Sequence, residues 1–383
     1  MKLAFYAPLK PPDHPVPSGD RLIANLLIRA LEKSGLGPTL AARFRSYDGR
    51  GDATRQRRLK SVGERLAQRL IVRLRRLERD QQPRLWITYH LYHKAPDWLG
   101  PPVSRALGIP YVVIEGTVAP KQSTGPWREG FLAATEAIVD ADLVVAINSS
   151  DMPCVRATLK DPGRLVQLRP FIDLSPFDAV LAKARRRATF AAELGIPADA
   201  TWLVTVAMMR PGNKLDSYRL LASALGGLQE TPWHLLVIGD GRARVQVETA
   251  FEAIDPTRVT FLGLRPQAEI AALLGACDLF LWPAVAEPLG MAMLEAHAAG
   301  LPVVAGDSGG VSDIVRHGET GLLAPPGDAK AFAASVEALL MDSDLRRAMG
   351  ARARARAEAA HSLEVAAGTL HHWLAPLIQS GRR

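Results

Sequence analysis

The segment EPLGMAMLEAHAAGLPVVAGDSGG, residues 287–310, carries the clearest structural pattern in the chain. It follows an apolar run, Leu279–Trp282, that is typical of a buried strand. Gly290 is placed to open a helix and Gly300 to end it, because glycine is common just beyond the last helical turn. A second apolar run, Pro302–Ala305, comes next. Strand, loop, helix and strand in this order predict an α/β fold with a parallel sheet.

The same segment has the chemistry of a site for an anion and a sugar. Glu287 lies in the loop at the carboxyl end of the predicted strand, where open α/β sheets bind ligands. The first backbone N–H groups of the helix, around Gly290–Met293, have no partner within the helix and attract anions. Glu295, about one turn further on, is suited to accept hydrogen bonds from a vicinal diol. These features predict a sugar-nucleotide site.

Outside this segment, short β-rich runs alternate with longer helical patterns in both halves of the chain, which favours βαβ units. The predicted elements of the first half are the strands Lys2–Ala7, Leu85–Tyr89, Tyr111–Glu115 and Leu143–Asn148, and the helix Arg21–Lys33. Those of the second half are the strands Trp202–Ala207, His234–Ile238 and Val259–Leu262, and the helices Leu215–Leu228, Gln267–Leu274, Met291–Ala299 and Ala329–Leu340. The sequence predicts two doubly wound domains.

A length of 383 residues is typical of two domains. The region of Pro170 and Pro176 interrupts the periodicity before a helix predicted at Val180–Leu194. A final helix is predicted at Leu363–Ile378. The predicted divisions are an N-terminal domain over 1–175, a C-terminal domain over 176–360, and a helix and tail over 361–383 that cross back to the first domain.

Composition excludes several classes of protein. Hydrophobic residues make up 48% of the chain, which is typical of a globular protein. The two cysteines, Cys154 and Cys277, exclude a disulfide framework, and we expect both to be buried thiols. The apolar N-terminal run is too short for a signal peptide, and the sequence has no run of about 18 apolar residues. We therefore expect a cytoplasmic protein.

The net charge of +8 is concentrated in one segment. Residues 55–79 hold ten Lys or Arg against two acids, and leucines recur there at helical spacing. This pattern predicts a basic amphipathic helix. Two interpretations stay open: a solvated helix whose apolar stripe packs on the first domain, or a helix that docks on an anionic membrane. Nucleic-acid binding is not expected, because no nucleic-acid motif accompanies the charge.

With these motifs in this order, the chain resembles the retaining glycosyltransferases of family 4, which have the GT-B fold: two Rossmann-like domains that face each other across a cleft. Glu287 and Glu295 match the family's E-x7-E motif. The resemblance extends to the sequences VIGDG, VTFLG and GETGLLAP at 237–241, 259–263 and 318–325. It is strong over residues 203–340 and weak in the first half.

The resemblance implies roles for a set of donor-binding residues. Glu287 would contact the hydroxyls of the donor sugar, and Glu295 would hold the ribose. Arg210 and Lys214 would offset the charge that the diphosphate gains as the glycosidic bond breaks, in place of a metal. The other residues of the expected donor site are Gly239, Leu264 and Arg265 towards the nucleotide, and Leu289, Gly290, Met291 and Ala292 at the helix start.

The first half departs from the family at a position that bears on the site. The family has a histidine after the strand that ends near Ile114, whereas this chain has Glu115, which either takes over a polar role or marks the loss of that feature. His90, at the end of another strand, is expected to face the acceptor. Gly19 would let the first loop approach the diphosphate without a side chain.

The resemblance implies a metal-independent hexosyltransferase that retains the anomeric configuration and uses a nucleoside diphosphate sugar as donor, with no cofactor. The basic helix favours a membrane lipid or lipid-linked glycan as the hydroxyl acceptor, and hence a peripheral location on the inner face of the membrane. A soluble acceptor stays open as an alternative. So does a nucleotide-sugar epimerase of the same fold, which would use the donor site without an acceptor.

Overall fold

The computed structural model divides the chain into two compact units. Unit 1 comprises residues 1–169 and 363–383, and unit 2 comprises residues 170–362. The structure describes residues 2–16, 18–178, 183–228 and 230–381, with the backbone alone for 183–185. The first division lies six residues before the predicted one at 175/176 because Pro170, Phe171 and Ile172 pack with unit 2.

Unit 1 is built on a six-stranded, wholly parallel sheet. Its strands are β1 (Lys2–Tyr6), β2 (Gly37–Leu40), β3 (Trp86–Leu91), β4 (Tyr111–Gly116), β5 (Leu143–Ala146) and β6 (Leu165–Gln167). They lie in the order β2-β1-β3-β4-β5-β6. The chain therefore leaves β1 towards one edge and continues from β3 towards the other, so the topological switch point lies between β1 and β3.

Five helices connect these strands. They are α1 (Gly19–Lys33), α2 (Ala53–Arg75), α3 (Gly100–Leu107), α4 (Arg128–Asp140) and α5 (Met152–Thr158). The apolar stripe of the basic helix α2 packs into the core of the unit through Ala67, Leu70, Ile71 and Leu74. The first of the two interpretations of this helix is thus confirmed for its apolar face.

Unit 2 repeats the design with a second six-stranded parallel sheet. Its strands are β7 (Thr201–Val206), β8 (Trp233–Ile238), β9 (Val259–Gly263), β10 (Leu279–Trp282), β11 (Val303–Gly306) and β12 (Gly321–Ala324). They lie in the order β12-β11-β10-β7-β8-β9, so the switch point lies between β7 and β10.

Nine helices of unit 2 lie within the described ranges. They are α6 (Ser175–Asp178), α7 (Lys183–Leu194), α8 (Asn213–Gly226), α9 (Arg244–Ala250), α10 (Gln267–Leu274), α11 (Met291–Ala298), α12 (Val311–Ile314), α13 (Ala329–Met341) and α14 (Ser343–His361). The predicted start of α7 at Val180 lies outside the described residues.

The last helix, α15 (Leu363–Ser380), belongs to unit 1, as predicted for a helix that crosses back. It packs against α1, and the Lys33 and Glu364 side chains form an ion pair with an N–O distance of 2.9 Å. The Nδ1 atom of His371 lies 3.0 Å from the carbonyl oxygen of Ser34. Unit 1 is therefore assembled from both ends of the chain.

One of the expectations for the two cysteines needs correction. Cys277 is buried as predicted, but Cys154 is exposed, because it lies on a short helix, α5, of which Val155 is the buried residue. The apolar residues near Cys154 were therefore a poor guide to its environment. Within the described ranges, no helix combines the length and the apolar composition needed to cross a bilayer.

Candidate active site

The switch point of unit 2 brings together two loops that carry predicted site residues. The loop after β7 contains Arg210 and leads into α8, whose second residue is Lys214. The loop after β10 contains Glu287 and leads into α11. Because β7 and β10 are parallel neighbours, both loops leave the same edge of the sheet. The crevice between such loops is where open α/β sheets bind ligands.

Lys214, Glu287 and Trp282 form one network at this point. The Lys214 ammonium pairs with Oε2 of Glu287, and Nε1 of Trp282 donates a hydrogen bond of 3.0 Å to the same oxygen. The ammonium also lies 4.9 Å from the centroid of the Trp282 ring, within cation–π range. The Glu287 side chain is only 14% exposed. The network therefore holds a cation and a carboxylate in fixed positions.

Arg210 is placed differently from Lys214. Its side chain is exposed and forms no hydrogen bond or ion pair within the part of the chain that the structure describes. Its carbonyl oxygen accepts a hydrogen bond of 3.1 Å from the amide of Leu215, which fixes the turn into α8. The sequence predicted two equivalent cations here, whereas in the structure Lys214 is paired and Arg210 is exposed with no side-chain partner among the described residues.

The loop that carries Glu287 has an unusual backbone. Ala284 has a φ of +48°, in the left-handed region that non-glycine residues rarely adopt. Ser308 accepts a hydrogen bond of 3.1 Å from the Glu287 amide and donates to the carbonyl of Ala284. A Cβ atom at Gly309 would lie 2.2 Å from the Glu287 carbonyl oxygen. Glycine at 309 is therefore required by close backbone packing against the site loop.

The start of α11 provides the expected anion site. Gly290 adopts a φ of +68° and caps the helix, and its carbonyl accepts the first helical hydrogen bond from Met293. The amides of Met291 and Ala292 form no hydrogen bond within the described ranges, and both residues are partly exposed, as is Leu289. Free amides at a helix start, together with the helix dipole, favour a bound anion.

Glu295 faces inward from α11 and is only 8% exposed. Its Oε1 accepts a hydrogen bond of 2.8 Å from Nε2 of Gln267, at the start of α10. Burial raises the pKa of Glu295 to about 7, against the smaller opposing effect of the Gln267 hydrogen bond. The second oxygen of Glu295 is left to accept hydrogen bonds from a ligand.

The ends of β8 and β9 contain the remaining predicted donor residues. At Gly239 the φ is +141°, and a Cβ atom would lie 1.9 Å from the Ala207 carbonyl oxygen, so close backbone packing is a sufficient reason for this glycine. Leu264 is 76% exposed, and the Arg265 guanidinium lies 3.2 Å from a Glu269 carboxylate oxygen. An exposed leucine beside a tethered arginine offers a flat, partly apolar surface.

Unit 1 holds the other predicted residues at its own switch point. Gly19 begins α1 with open space around its Cα, and Asp20 lies beside it. Nδ1 of His90, at the end of β3, lies 2.8 Å from a carboxylate oxygen of Asp20. Oε2 of Glu115, at the end of β4, accepts a hydrogen bond of 2.7 Å from the Ile147 amide.

Four residues of these sites were missed by the sequence analysis: Asp20, Gln267, Trp282 and Ser308. Trp282 ends a predicted strand, and Asp20 follows the Ser-Gly pair that begins α1, so the positions of both were available as signals. Gln267 and Ser308 act through contacts across 28 and 21 residues of sequence, and no local pattern marks them. Among the described residues, no cluster of three or more His, Cys, Asp or Glu is placed to hold a metal ion.

Comparison with known proteins agrees with this geometry. Residues 188–356 match the family model described as Glycosyl transferases group 1. The matched stretch contains all six strands of the second sheet and the Lys214–Glu287–Trp282 network. The matched stretch therefore includes the whole candidate site of unit 2.

Relatives extend the likeness. The D-inositol 3-phosphate glycosyltransferase of Nocardia farcinica is 34% identical over 238 residues, which cover 58% of this chain and 52% of that protein. The chain spans about half the length of the curated relatives that it matches in this way.

Two solved structures cover nearly the whole chain. Sucrose-phosphate synthase from Thermosynechococcus elongatus has a TM-score of 0.75 at 20% identity, with full coverage of both chains. HepE of Anabaena, solved in complex with UDP, has a TM-score of 0.74 at 17% identity and covers 98% of this chain and 100% of its own. With two parallel six-stranded sheets and interleaved helices, the protein has the GT-B fold, as predicted.

Proposed function

We propose that the protein is a retaining glycosyltransferase that moves a hexose from a nucleoside diphosphate sugar to a hydroxyl acceptor, without a metal or other cofactor. The observation that carries this proposal is the Lys214–Glu287–Trp282 network at the switch point of unit 2, within the stretch that matches the group 1 family model. The free amides at the start of α11 and the buried Glu295 lie on the helix that follows the same loop. Retention and the hexose rest on the family resemblance.

The geometry supports separate roles for these residues in binding the donor. The diphosphate is an anion suited to the start of α11 and to Lys214, whose charge would offset the negative charge that develops on the leaving group. Arg210, which is exposed and has no partner within the described ranges, would close on the same charge. Glu287 would accept hydrogen bonds from sugar hydroxyls, and Glu295 from the ribose diol.

A thermal-shift screen of UDP, GDP, ADP and their common sugars tests the donor site. A ligand that binds only the folded protein stabilises it by roughly 2.7 kcal/mol at 100 times its dissociation constant. We expect one nucleotide to raise the thermal midpoint of the wild type and to have no effect on Glu295→Ala or Lys214→Ala. The absence of a shift with every nucleotide would contradict the proposal. An epimerised nucleotide sugar, in place of released nucleoside diphosphate, would assign the site to an epimerase.

We also propose that the acceptor is a membrane lipid or a lipid-linked glycan, and that α2 docks on the anionic cytoplasmic face of the membrane. Five exposed arginines spaced by seven, four, four and three residues lie on one face of this helix: Arg58, Arg65, Arg69, Arg73 and Arg76. Their guanidinium groups have no partner among the described residues. They form a stripe about 27 Å long at 1.5 Å per residue.

The stripe favours an electrostatic contact. The apolar face of α2 is used in the core of unit 1, so only charge is left to bind a surface. Each arginine near an anionic leaflet contributes about 1 kcal/mol, so five supply about 5 kcal/mol at low salt.

Co-sedimentation with phosphatidylserine-containing vesicles tests the docking proposal. The double variant Arg65→Glu/Arg69→Glu should bind at least about 30-fold more weakly, since two attractions are lost and two repulsions added. The matched control is Arg219→Glu/Arg347→Glu, which changes the net charge equally on exposed arginines of unit 2. Equal loss in both variants, binding that ignores salt, or a preference for RNA over vesicles would each overturn the membrane proposal.

A further inference from the structure

A groove lies between α2 and α3 in unit 1. Its volume of about 500 Å³ is within the range of about 300–1,000 Å³ that is typical of small-molecule sites. The residues that line it are Glu64, Arg65, Ala67, Gln68, Arg69 and Pro102. Two of them, Arg65 and Arg69, also belong to the arginine stripe of α2. The groove therefore opens beside the surface that we propose to dock on the membrane.

The packing of α2 against α3 leaves space for this groove. A side chain at Gly63 would collide with Trp98, so the chain just before α3 lies directly against α2 at that point. Further along α2, Nη2 of Arg75 donates a hydrogen bond of 2.6 Å to the carbonyl oxygen of Ala106, near the end of α3. Between these two contacts the buried Ala67 offers only a methyl group. The helices are therefore held together on both sides of a position where little fills the space between them.

The charged residues of the groove are suited to a phosphate group. Arg65 and Arg69 are one helical turn apart, so their Cβ atoms are about 5–6 Å from each other. Both side chains are exposed and have no partner among the described residues. Each guanidinium group presents a planar fork of N–H donors that matches the oxygens of a phosphate. Glu64 adds one opposing carboxylate to the lining, so the attraction for an anion depends on the two arginines.

Two arginines one turn apart favour a phosphomonoester over a phosphodiester. A monoester has three terminal oxygens and a charge of about −1.5 to −2 at pH 7, so each arginine can bind oxygens of its own. A diester has fewer terminal oxygens and a charge of about −1. The second arginine therefore adds more to the binding of a monoester than to that of a diester.

The apolar residues at the groove favour a lipid over a soluble phosphate. Val72 follows Arg69 by three residues, on the neighbouring turn of α2, and is 49% exposed. Pro102 adds apolar surface from α3. Exposed apolar atoms beside a phosphate site suit the boundary between the headgroup and the acyl chains of a lipid. A free phosphate would leave these atoms in contact with water.

We propose that the groove between α2 and α3 binds the headgroup of one phosphomonoester lipid, with the phosphate held by Arg65 and Arg69. The inference rests on the proposed docking of α2 on a membrane, and it adds a choice of lipid to that docking. Binding by the stripe alone depends on the charge density of the membrane surface. A groove that holds one headgroup distinguishes between lipids at equal charge density.

Co-sedimentation of the full chain with two kinds of phosphatidylcholine vesicle tests the choice of lipid. One kind contains phosphatidic acid, whose headgroup is a phosphomonoester, and the other contains phosphatidylglycerol, a phosphodiester. The lipid fractions are adjusted until both kinds have the same zeta potential. We expect the wild type to bind the phosphatidic acid vesicles on the order of tenfold more tightly, because the monoester engages both arginines. Equal affinity for the two kinds of vesicle would overturn the proposal.

Two double variants of equal charge separate the groove from the rest of the stripe. Arg65→Gln/Arg69→Gln should reduce the preference for phosphatidic acid to within about twofold. Arg58→Gln/Arg76→Gln is the matched control, because these arginines lie on the same stripe about 10 Å beyond either end of the groove pair. The control should bind both kinds of vesicle more weakly and keep the preference. Equal loss of the preference in both variants would show that the groove has no role of its own.

Glu64→Gln should produce a gain that a misfolded variant could not. Removal of the opposing carboxylate should raise the affinity for phosphatidic acid vesicles about threefold, and the affinity for phosphatidylglycerol vesicles by less. Glu78→Gln is the control, since Glu78 is exposed just beyond the end of α2 and does not line the groove. The same gain in both variants would assign the effect to net charge and contradict the proposal.

Soluble competitors identify the source of the phosphate. At constant ionic strength, glycerol 3-phosphate and inorganic phosphate should neither release the protein from phosphatidic acid vesicles nor raise its thermal midpoint. A rise in the midpoint that is lost in Arg65→Gln/Arg69→Gln would assign the groove to a soluble phosphate and overturn the lipid proposal.

The outcomes also separate this inference from the proposed function. Binding to every anionic vesicle without preference would leave the docking of α2 intact and overturn the inference alone. The absence of binding to any anionic vesicle would contradict both the docking and the inference. Neither result bears on the transferase assignment, because the groove in unit 1 contains none of the predicted donor residues.

Discussion

The switch points of the two units have the same construction with the charges exchanged. In each unit a close contact between an acidic and a basic side chain joins the first turn of the helix after the first strand to the end of the strand on the other side of the switch. Unit 1 places the acid, Asp20, on the helix and the base, His90, on the strand. Unit 2 places the base, Lys214, on the helix and the acid, Glu287, after the strand.

The exchange has opposite consequences for binding. A helix start attracts negative charge, so Asp20 is well placed on α1, and its pair with His90 is complete without a ligand. Lys214 adds a positive charge to the already positive start of α8, and Glu287 offsets only part of it. The comparison therefore favours unit 2 over unit 1 as the place where the anionic part of the proposed donor binds.

The largest expected effect comes from removing the cation of unit 2. Lys214→Met should lower kcat/KM by about 100- to 1,000-fold with the donor that the thermal screen selects, since it removes a group aimed at the developing charge. Steady-state kinetics measures this. Lys33→Met, which breaks an exposed pair with Glu364 in unit 1, serves as the control and should leave kcat/KM within about twofold. Equal losses of kcat/KM in both variants would show that the Lys214 charge has no special role, and would contradict the contrast between the two units.

The next largest effect is a difference in how the stability contributions of Glu295 in unit 2 and Asp20 in unit 1 depend on pH. The pKa of Glu295 is raised to about 7, so its contribution to stability is full below its ordinary pKa of 4.5 and is lost as pH rises through 7. Asp20, with a lowered pKa, contributes above 3.8 and loses that contribution as pH falls. Between pH 5 and 8, Glu295→Gln should therefore gain up to about 3 kcal/mol relative to the wild type.

Thermal midpoints at several pH values, without nucleotide, test this contrast. The thermal midpoint of Asp20→Asn should show no such gain between pH 5 and 8. Its difference from the wild-type midpoint should keep the same sign at every pH in that range. A Glu295→Gln variant that tracks the wild type across the range would show that the carboxyl is already ionised in the unliganded protein.

The smallest expected effect concerns the pair in unit 1. Asp20 and His90 are both partly exposed, so Asp20→Asn should change the free energy of unfolding by no more than about 1 kcal/mol. It should also leave UDP, GDP and ADP affinities unchanged in titration calorimetry, because Lys214, Glu295 and the free amides proposed to bind the nucleotide belong to unit 2 and only the backbone of Gly19 is expected to reach it from unit 1. Loss of nucleotide affinity in Asp20→Asn would show that unit 1 also binds the anion.

The parts of the molecule that were predicted from sequence are those with a local pattern. Residues 279–310 form a strand, a capped helix and a second strand within one residue of their predicted bounds, because glycines and apolar runs mark them. The short strands β2, β6 and β12 were missed, since three or four residues carry too little periodicity. So was α14, whose alternating arginines and alanines give no clear apolar face.

The sequence predicted which residues belong to the candidate site, but not which of them contact each other. Glu287 and Lys214 were assigned separate ligands, whereas in the structure they hold each other across 73 residues of sequence. Asp20 and His90 meet across 70 residues, through two strands whose pairing no local pattern gives. Pairing of this kind is decided by sheet order, which is a property of the whole unit.

The return of α15 to unit 1 has a consequence for how the protein is made. The Ile172 amide bonds to the His361 carbonyl, so unit 2 begins and ends at adjacent points and is encoded as one uninterrupted stretch. All of unit 2 is synthesised before α15, the neighbour of α1 in unit 1. Unit 1 can therefore complete its packing only after the whole of unit 2 has been synthesised, although most of unit 1 is synthesised first.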